Sequence, residues 1–311
     1  MEILLAIFGV GLLASLVGGG SSGGGLQSEE PDLTDEGTPG PDTLPGTFLD
    51  DVIFGRAGDD LINGDIGNDF LDGNADNDQV FGDVGNDSLF GGDGDDTLGG
   101  GTGDDFLRGG AGDDVLRGGA DNDVLEGALN ADTLEGNGGN DTLRGGPGKD
   151  FLTGNLGFDE LEGGPGDDTL IGLGANFRDA PDADPDDADS LEGWEGADFI
   201  VMGAGDDAWG EFVTTKADGA SDTFVSGIWA SGNPPTVHDF DPLVDQLVLY
   251  YDPAVLSDPD VTVTSVEIAG ETVFQVGLDG DVLMLIDMGT TGGVVVPTDV
   301  DLRTPSISPT V

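Results

Sequence analysis

The chain has no cysteine in its 311 residues, one histidine (His238), and only 8 lysines and arginines. Without cysteine there is neither a disulfide framework nor a thiolate metal site. The 8 basic residues face 64 acidic ones, a formal net charge of -56. That balance excludes nucleic acid as a partner, because phosphate contacts need Lys and Arg. No H-E-x-x-H occurs, which excludes a zinc-protease site of that type. Residues Gly20, Ser22 and Gly24 match G-x-S-x-G, but they sit in a Gly/Ser linker without the strand and helix that a nucleophile elbow requires. Paired carboxylates recur so often that no single pair argues for glycosidase chemistry. The chain is therefore expected not to be an enzyme.

Long apolar runs are scarce as well. Residues 3 to 17, ILLAIFGVGLLASLV, form the one such run, which is shorter than the roughly 20 residues of a comfortable transmembrane helix. Glu2 precedes it where a secretory signal carries Lys or Arg. The run is read as an atypical signal or short membrane anchor, and any membrane contact is expected only there. A flexible Gly/Ser linker completes residues 1–25, and an acidic linker follows over 26–45.

Glycine and aspartate are abundant, and they keep phase. Every ninth residue from Asp60 is an aspartate: Asp60, Asp69, Asp78, Asp87, Asp96, Asp105, Asp114, Asp123, Asp132, Asp141, Asp150, Asp159 and Asp168. An aliphatic residue stands two places after each, from Ile62 to Leu170, and a glycine five places before each, from Gly55 to Gly163. The unit is G-x-x-G-x-D-x-U-x, with U aliphatic. Asp76, Asp121 and Asn130 replace the fourth-position glycine, and these residue types best tolerate a left-handed backbone. Glycines at positions one and four suit a tight turn, and x-U-x suits a short strand with one inward side chain.

One aliphatic residue in nine cannot make a core alone. Two repeats per coil, 18 residues a turn, would let the U residues of two facing sheets interdigitate into a narrow continuous core. The aspartates then stack along two edges, at a strand spacing of roughly 4.8 Å, and repel unless a cation lies between turns. Without a counter-ion, a chain this acidic resists collapse and reads as disordered. Its hydrophobic content of 36% is nevertheless too high for a purely solvated tail. Calcium, with its flexible all-oxygen coordination, suits carboxylates and turn carbonyls better than magnesium. An ice-binding solenoid would need a regular threonine ladder, and the outward positions are too mixed for one.

The unit resembles the repeats-in-toxin (RTX) nonapeptide G-G-x-G-x-D-x-U-x. That resemblance implies an all-β, right-handed parallel β-roll, a two-sheet solenoid of 18 residues per coil. It also implies Ca2+ held between turns two repeats apart, with the sixth-position aspartate of each as a ligand. Thirteen turns then offer at most 11 sites. The fifth-position residues Ala131, Lys149 and Phe158 are expected to weaken some of them. Weaker copies extend the phase: Asp42 with Leu44 and Asp51 with Ile53 upstream, and Asp189, Asp198 and Asp207 with Leu191, Ile200 and Trp209 downstream. The metal-ligand candidates are thus the thirteen in phase together with Asp51, Asp189, Asp198 and Asp207.

The layout expected is a roll over 46–171, a loop insertion over 172–188, further roll repeats over 189–219, a C-terminal antiparallel β cap over 220–303, and a tail over 304–311. Ala269-Gly270 and Asp279-Gly280-Asp281 read as hairpin turns within the cap. The resemblance further implies a secreted or cell-surface location, export by type I secretion machinery, and an uncleaved C-terminal secretion signal. The role expected is calcium-triggered folding of a non-enzymatic extracellular protein. The alternatives are an adhesin or carbohydrate-binding module with a cell-surface or glycan partner, and an accessory part of a secreted enzyme system.

Overall fold

The computed structural model describes residues 34–173, 189–201, 212–214 and 221–227, and beyond them the strands Thr236–His238, Gln246–Tyr250, Val261–Ile268, Glu271–Leu278, Asp281–Asp287 and Val300–Arg303. All lie in the unit Pro31–Val311. The apolar run 3–17, most of the 172–188 loop, Asp207 with Trp209, and the tail 304–311 fall outside the described residues. Among those described, every regular element is a strand, and no helix is long and apolar enough to cross a membrane.

Nine-residue phase becomes eighteen-residue register. Successive strands alternate between a 14-stranded and a 12-stranded sheet, so each pairs in parallel with the strand one coil away. Val115–Ala120, for example, lies between Thr97–Thr102 and Thr133–Gly138, with Leu116 opposite Leu98 and Leu134. The result is a β-solenoid whose regular part, residues 34–173, makes about eight turns of the expected 18-residue coil. The U residues from Ile53 to Leu170 are 0% exposed and form one continuous row between the sheets. Burying each contributes about 1.5–3 kcal/mol, which is little for two side chains in an 18-residue coil when ordering costs about 1–2 kcal/mol per residue.

The turns correct one expectation. Left-handed backbone falls at positions two and four, not one and four. In all thirteen in-phase copies position two has positive φ whatever residue fills it, including Arg56 (83°), Asn74 (78°), Ala128 (91°) and Asn155 (82°). At position four, Asp76, Asp121 and Asn130 adopt φ of 71°, 74° and 83°, as their residue types allow. The first-position glycine is required for a different reason, which is space. A Cβ on Gly91 would collide with Asp96 Oδ2 and come within 2.8 Å of the Gly109 carbonyl oxygen.

Downstream, the solenoid outlasts its sequence phase. Ser190–Glu195 pairs with Glu160–Pro165, and Phe199–Val201 pairs with Thr169–Leu173. Phe212–Thr214 then pairs with Ser190–Glu195 so that Val213 faces Leu191, the place where the nine-residue count expected Trp209. The expected cap also begins differently. Thr223–Gly227, Gln246–Tyr250 and Val300–Arg303 continue the 12-stranded sheet in parallel, and Thr236–His238 continues the other. Among the described residues, antiparallel pairing is confined to Val261–Ile268, Glu271–Leu278 and Asp281–Asp287, and the expected turn residues 269–270 and 279–280 lie outside the described residues.

The outer faces vary along the roll. On the 14-stranded sheet, Phe54, Phe70, Phe90 and Phe106 form a ladder with ring centroids 5.8, 5.2 and 5.8 Å apart. It gives way to alternating Arg108, Glu126, Arg144 and Glu162 on successive strands. Arg144 and Glu162 are 3.3 Å apart, as are Arg117 and Glu135 on the other sheet, and such exposed pairs are worth at most about 1 kcal/mol each.

Candidate metal centre

In the turns that carry Asn or Asp at position five, that residue and the aspartate at position six bond in opposite directions along the roll. The sixth-position carboxylate points back: Asp78 Oδ1 accepts from the Asp60 N–H at 2.8 Å, Asp96 Oδ1 from Asp78 at 2.7 Å, and Asp114 Oδ1 from Asp96 at 2.8 Å. The other edge repeats this, with Asp87, Asp105, Asp123, Asp141 and Asp159 each accepting at 2.8 Å from the aspartate 18 residues earlier. The fifth-position side chain points forward: Asn77 Oδ1 accepts from the Asp95 N–H at 3.0 Å, and Asp95 Oδ1 from the Asp113 N–H at 2.9 Å. Neighbours in sequence therefore do not share a partner.

These bonds engage one oxygen of each sixth-position carboxylate. The other, Oδ2, is buried without a hydrogen-bond partner in all thirteen residues from Asp60 to Asp168. A buried acceptor left bare costs about 1–3 kcal/mol, and more if charged. Burial pushes these carboxyls upward, and nearby carboxylates add to it at all but Asp141 and Asp150: to about 8 at Asp123 and Asp132, about 7 at Asp78, Asp87, Asp114, Asp159 and Asp168, and about 6 at Asp69, Asp96, Asp105, Asp141 and Asp150. Asp60 is raised for the same reason. Thirteen buried acids in two files need either protons or cations.

A hard cation fits this donor set. The space a Cβ on Gly100 would fill is bounded by Asp105 Oδ2 and the Gly118 carbonyl oxygen, and that on Gly136 by Asp141 Oδ2 and the Gly154 carbonyl oxygen. Among the described residues no three carboxylate, histidine or cysteine side chains converge. Any ion here would draw carboxylate oxygens from the turns and complete its shell with backbone carbonyls, which suits calcium and excludes a soft or nitrogen-preferring metal.

The flanking candidates fall into different environments. Asp51 Oδ2 accepts from the Thr47 N–H at 2.6 Å, and Asp42 Oδ2 from the Thr38 N–H at 2.6 Å. In both turns threonine holds position two, and its own N–H supplies what the thirteen in-phase copies lack. Asp189 and Asp198 do join the files, accepting from the N–H of Asp159 and Asp168 at 2.9 Å. Asp222, read from sequence as part of the cap, stands next: its Oδ1 accepts from the Asp198 N–H at 3.0 Å, and Phe224 is 0% exposed like the U residues. The Asp-x-U spacing of Asp222 and Phe224 was the available signal. Asp207 lies outside the described residues.

A parallel two-sheet solenoid with a file of half-satisfied buried carboxylates on each edge is a cation-binding β-roll. The model of the RTX calcium-binding nonapeptide repeat family matches the chain at residues 36–71, 65–98, 72–107, 99–134, 126–161, 153–176 and 186–208, together more than half of it. The chain belongs to that family, and its repeats bind Ca2+. Among curated proteins, no match is found.

Proposed function

We propose that the protein is a secreted, non-enzymatic extracellular or cell-surface component whose roll folds when calcium reaches it. The thirteen buried Oδ2 atoms carry this reading, because they make the closed roll unfavourable at neutral pH until cations neutralise it. In low calcium the chain, at a net charge of -56, repels itself and stays open enough for export. Outside, ion binding and folding become one equilibrium, since an ion that binds only the folded state stabilises it by mass action. Residues Asp60 to Asp168 hold the ions, the glycine-rich turns supply carbonyl oxygens, and calcium contributes charge neutralisation. The antiparallel strands 261–287 cover the end of the roll. Type I secretion machinery is the export partner that family membership favours. Circular dichroism should show a coil-to-β change on adding millimolar calcium and reversal with chelator; an unchanged spectrum overturns the reading.

A second reading, an adhesin or carbohydrate-binding module, is favoured by the ladder of Phe54, Phe70, Phe90 and Phe106, whose partly exposed rings line up along one sheet. Retention on immobilised glycans that disappears in Phe70→Ser/Phe106→Ser, with the calcium response intact, would establish it.

A further inference from the structure

Along one edge of the roll the fifth-position residues run Asp113, Ala131, Lys149 and Asp167, and the forward-pointing acceptor is interrupted twice. Ala131 donates its N–H to Asp113 Oδ1 at 3.1 Å but has no side-chain oxygen to offer the next coil. Lys149 offers an ammonium in place of an acceptor. Its Nζ donates to the Asp167 carbonyl oxygen at 3.1 Å, reaching across to the turn one coil on. The turn is also built differently: Gly148 is the one fourth-position residue of the thirteen in-phase copies outside the left-handed region.

An ion between turns has to engage a backbone carbonyl of the following turn and bring positive charge to the file of buried carboxylates. A lysine that does both also repels a divalent ion from the same interval. We propose that Lys149 is a resident cation that replaces calcium between the turns 145–150 and 163–168, so that this interval takes no calcium while its neighbours do. Asp150 and Asp168 then face each other across a gap closed by the protein's own charge. The proposal rests on the calcium-binding role of the repeats, and it assigns this chain one site fewer than its repeat count allows.

The test is calcium stoichiometry on the full chain, by equilibrium dialysis and by native mass spectrometry, for the wild type, Lys149→Asn, Lys149→Met and Lys149→Arg. Asn is common at this position in the other copies, Met keeps the bulk without the charge, and Arg keeps the charge. Lys149→Asn and Lys149→Met are each expected to bind one calcium more per chain than the wild type, and Lys149→Arg the same number. Equal stoichiometry across all four, with calcium bound, overturns the proposal and leaves the calcium role standing. No calcium bound by any of them overturns both. Should Lys149→Asn fail to give the calcium-induced β signal, Lys149→Met against Lys149→Arg decides by the same comparison.

Discussion

Between Asp60 and Asp168 the carboxylate files advance in steps of 18 residues, whereas Asp159 reaches Asp189 and Asp168 reaches Asp198 in steps of 30, and Asp198 reaches Asp222 in a step of 24. The spatial step is nevertheless the same: a 2.9–3.0 Å bond from one backbone N–H to the next Oδ1. What the solenoid repeats is therefore a coil, not a residue count. A coil needs an inward aliphatic residue, an aspartate two places before it, and a chain that returns in register. Extra residues are tolerated where they leave the sheets between strands, as loops generally are. Inside the strands no such tolerance exists, because side chains alternate faces.

The largest effect should come from breaking phase inside the regular region. Deleting Ala120, the last residue of Val115–Ala120, leaves one repeat a residue short inside a strand, so the chain cannot carry Leu116 and Leu125 into the core row in register, and the calcium-induced β signal should fall. Deleting residues 176–187, the twelve by which the 30-residue steps exceed 18, should by contrast leave the calcium response unchanged. If both deletions behave alike, the comparison fails.

Protons offer the next test. In the calcium-free roll the twelve file carboxyls from Asp69 to Asp168 sit near 6 to 8, above the unfolded value of about 3.9, so their contribution is fully present below pH 4 and lost as pH rises through 6 to 8. Acidifying calcium-free protein from pH 8 to below 6 should therefore raise its β content by circular dichroism. A flat profile would show that charge in the files is not what keeps the chain open.

Smaller effects separate the parts of one turn. Leu116→Ala, in the fully buried row, should cost about 2–5 kcal/mol in calcium-saturated denaturant unfolding. Gly109→Ala, whose Cβ would press on the Asp114 carboxylate, should cost about 1–3 kcal/mol and weaken calcium binding beside it. Ala128→Gly, at the second position where Gly92, Gly101, Gly110, Gly119, Gly146 and Gly164 already hold the same positive φ, should shift stability by about 1 kcal/mol or less. Equal losses from Gly109→Ala and Ala128→Gly would contradict the separate roles of the first and second positions.

Much of this was legible in the residues because a nine-residue phase leaves few ways to bury one aliphatic side chain per repeat. The two sheets, the 18-residue coil, the row from Ile53 to Leu170 and the two carboxylate files all follow from it. Asp222 was missed because loops of unequal length erase phase while leaving the Asp-x-U spacing intact. Trp209 was expected where Val213 stands for the same reason. The first-position glycine was legible as glycine but not in its cause, since a requirement for space depends on which carboxylate lies opposite, 5 residues ahead, once the turn has closed.

Sequence by itself determined the alternation that makes this a roll and the excess of acid that makes it need a cation, because both are properties of periodicity and composition. Only the tertiary structure decided how the acids are used. Stacking turned each sixth-position side chain back toward one coil and each fifth-position side chain forward to the next, left one oxygen of thirteen aspartates bare, gave Asp51 a backbone N–H instead, and set the Lys149 ammonium on the carbonyl of Asp167. Those assignments depend on what lies 18 residues away, and a linear chain brings such residues together only when it coils.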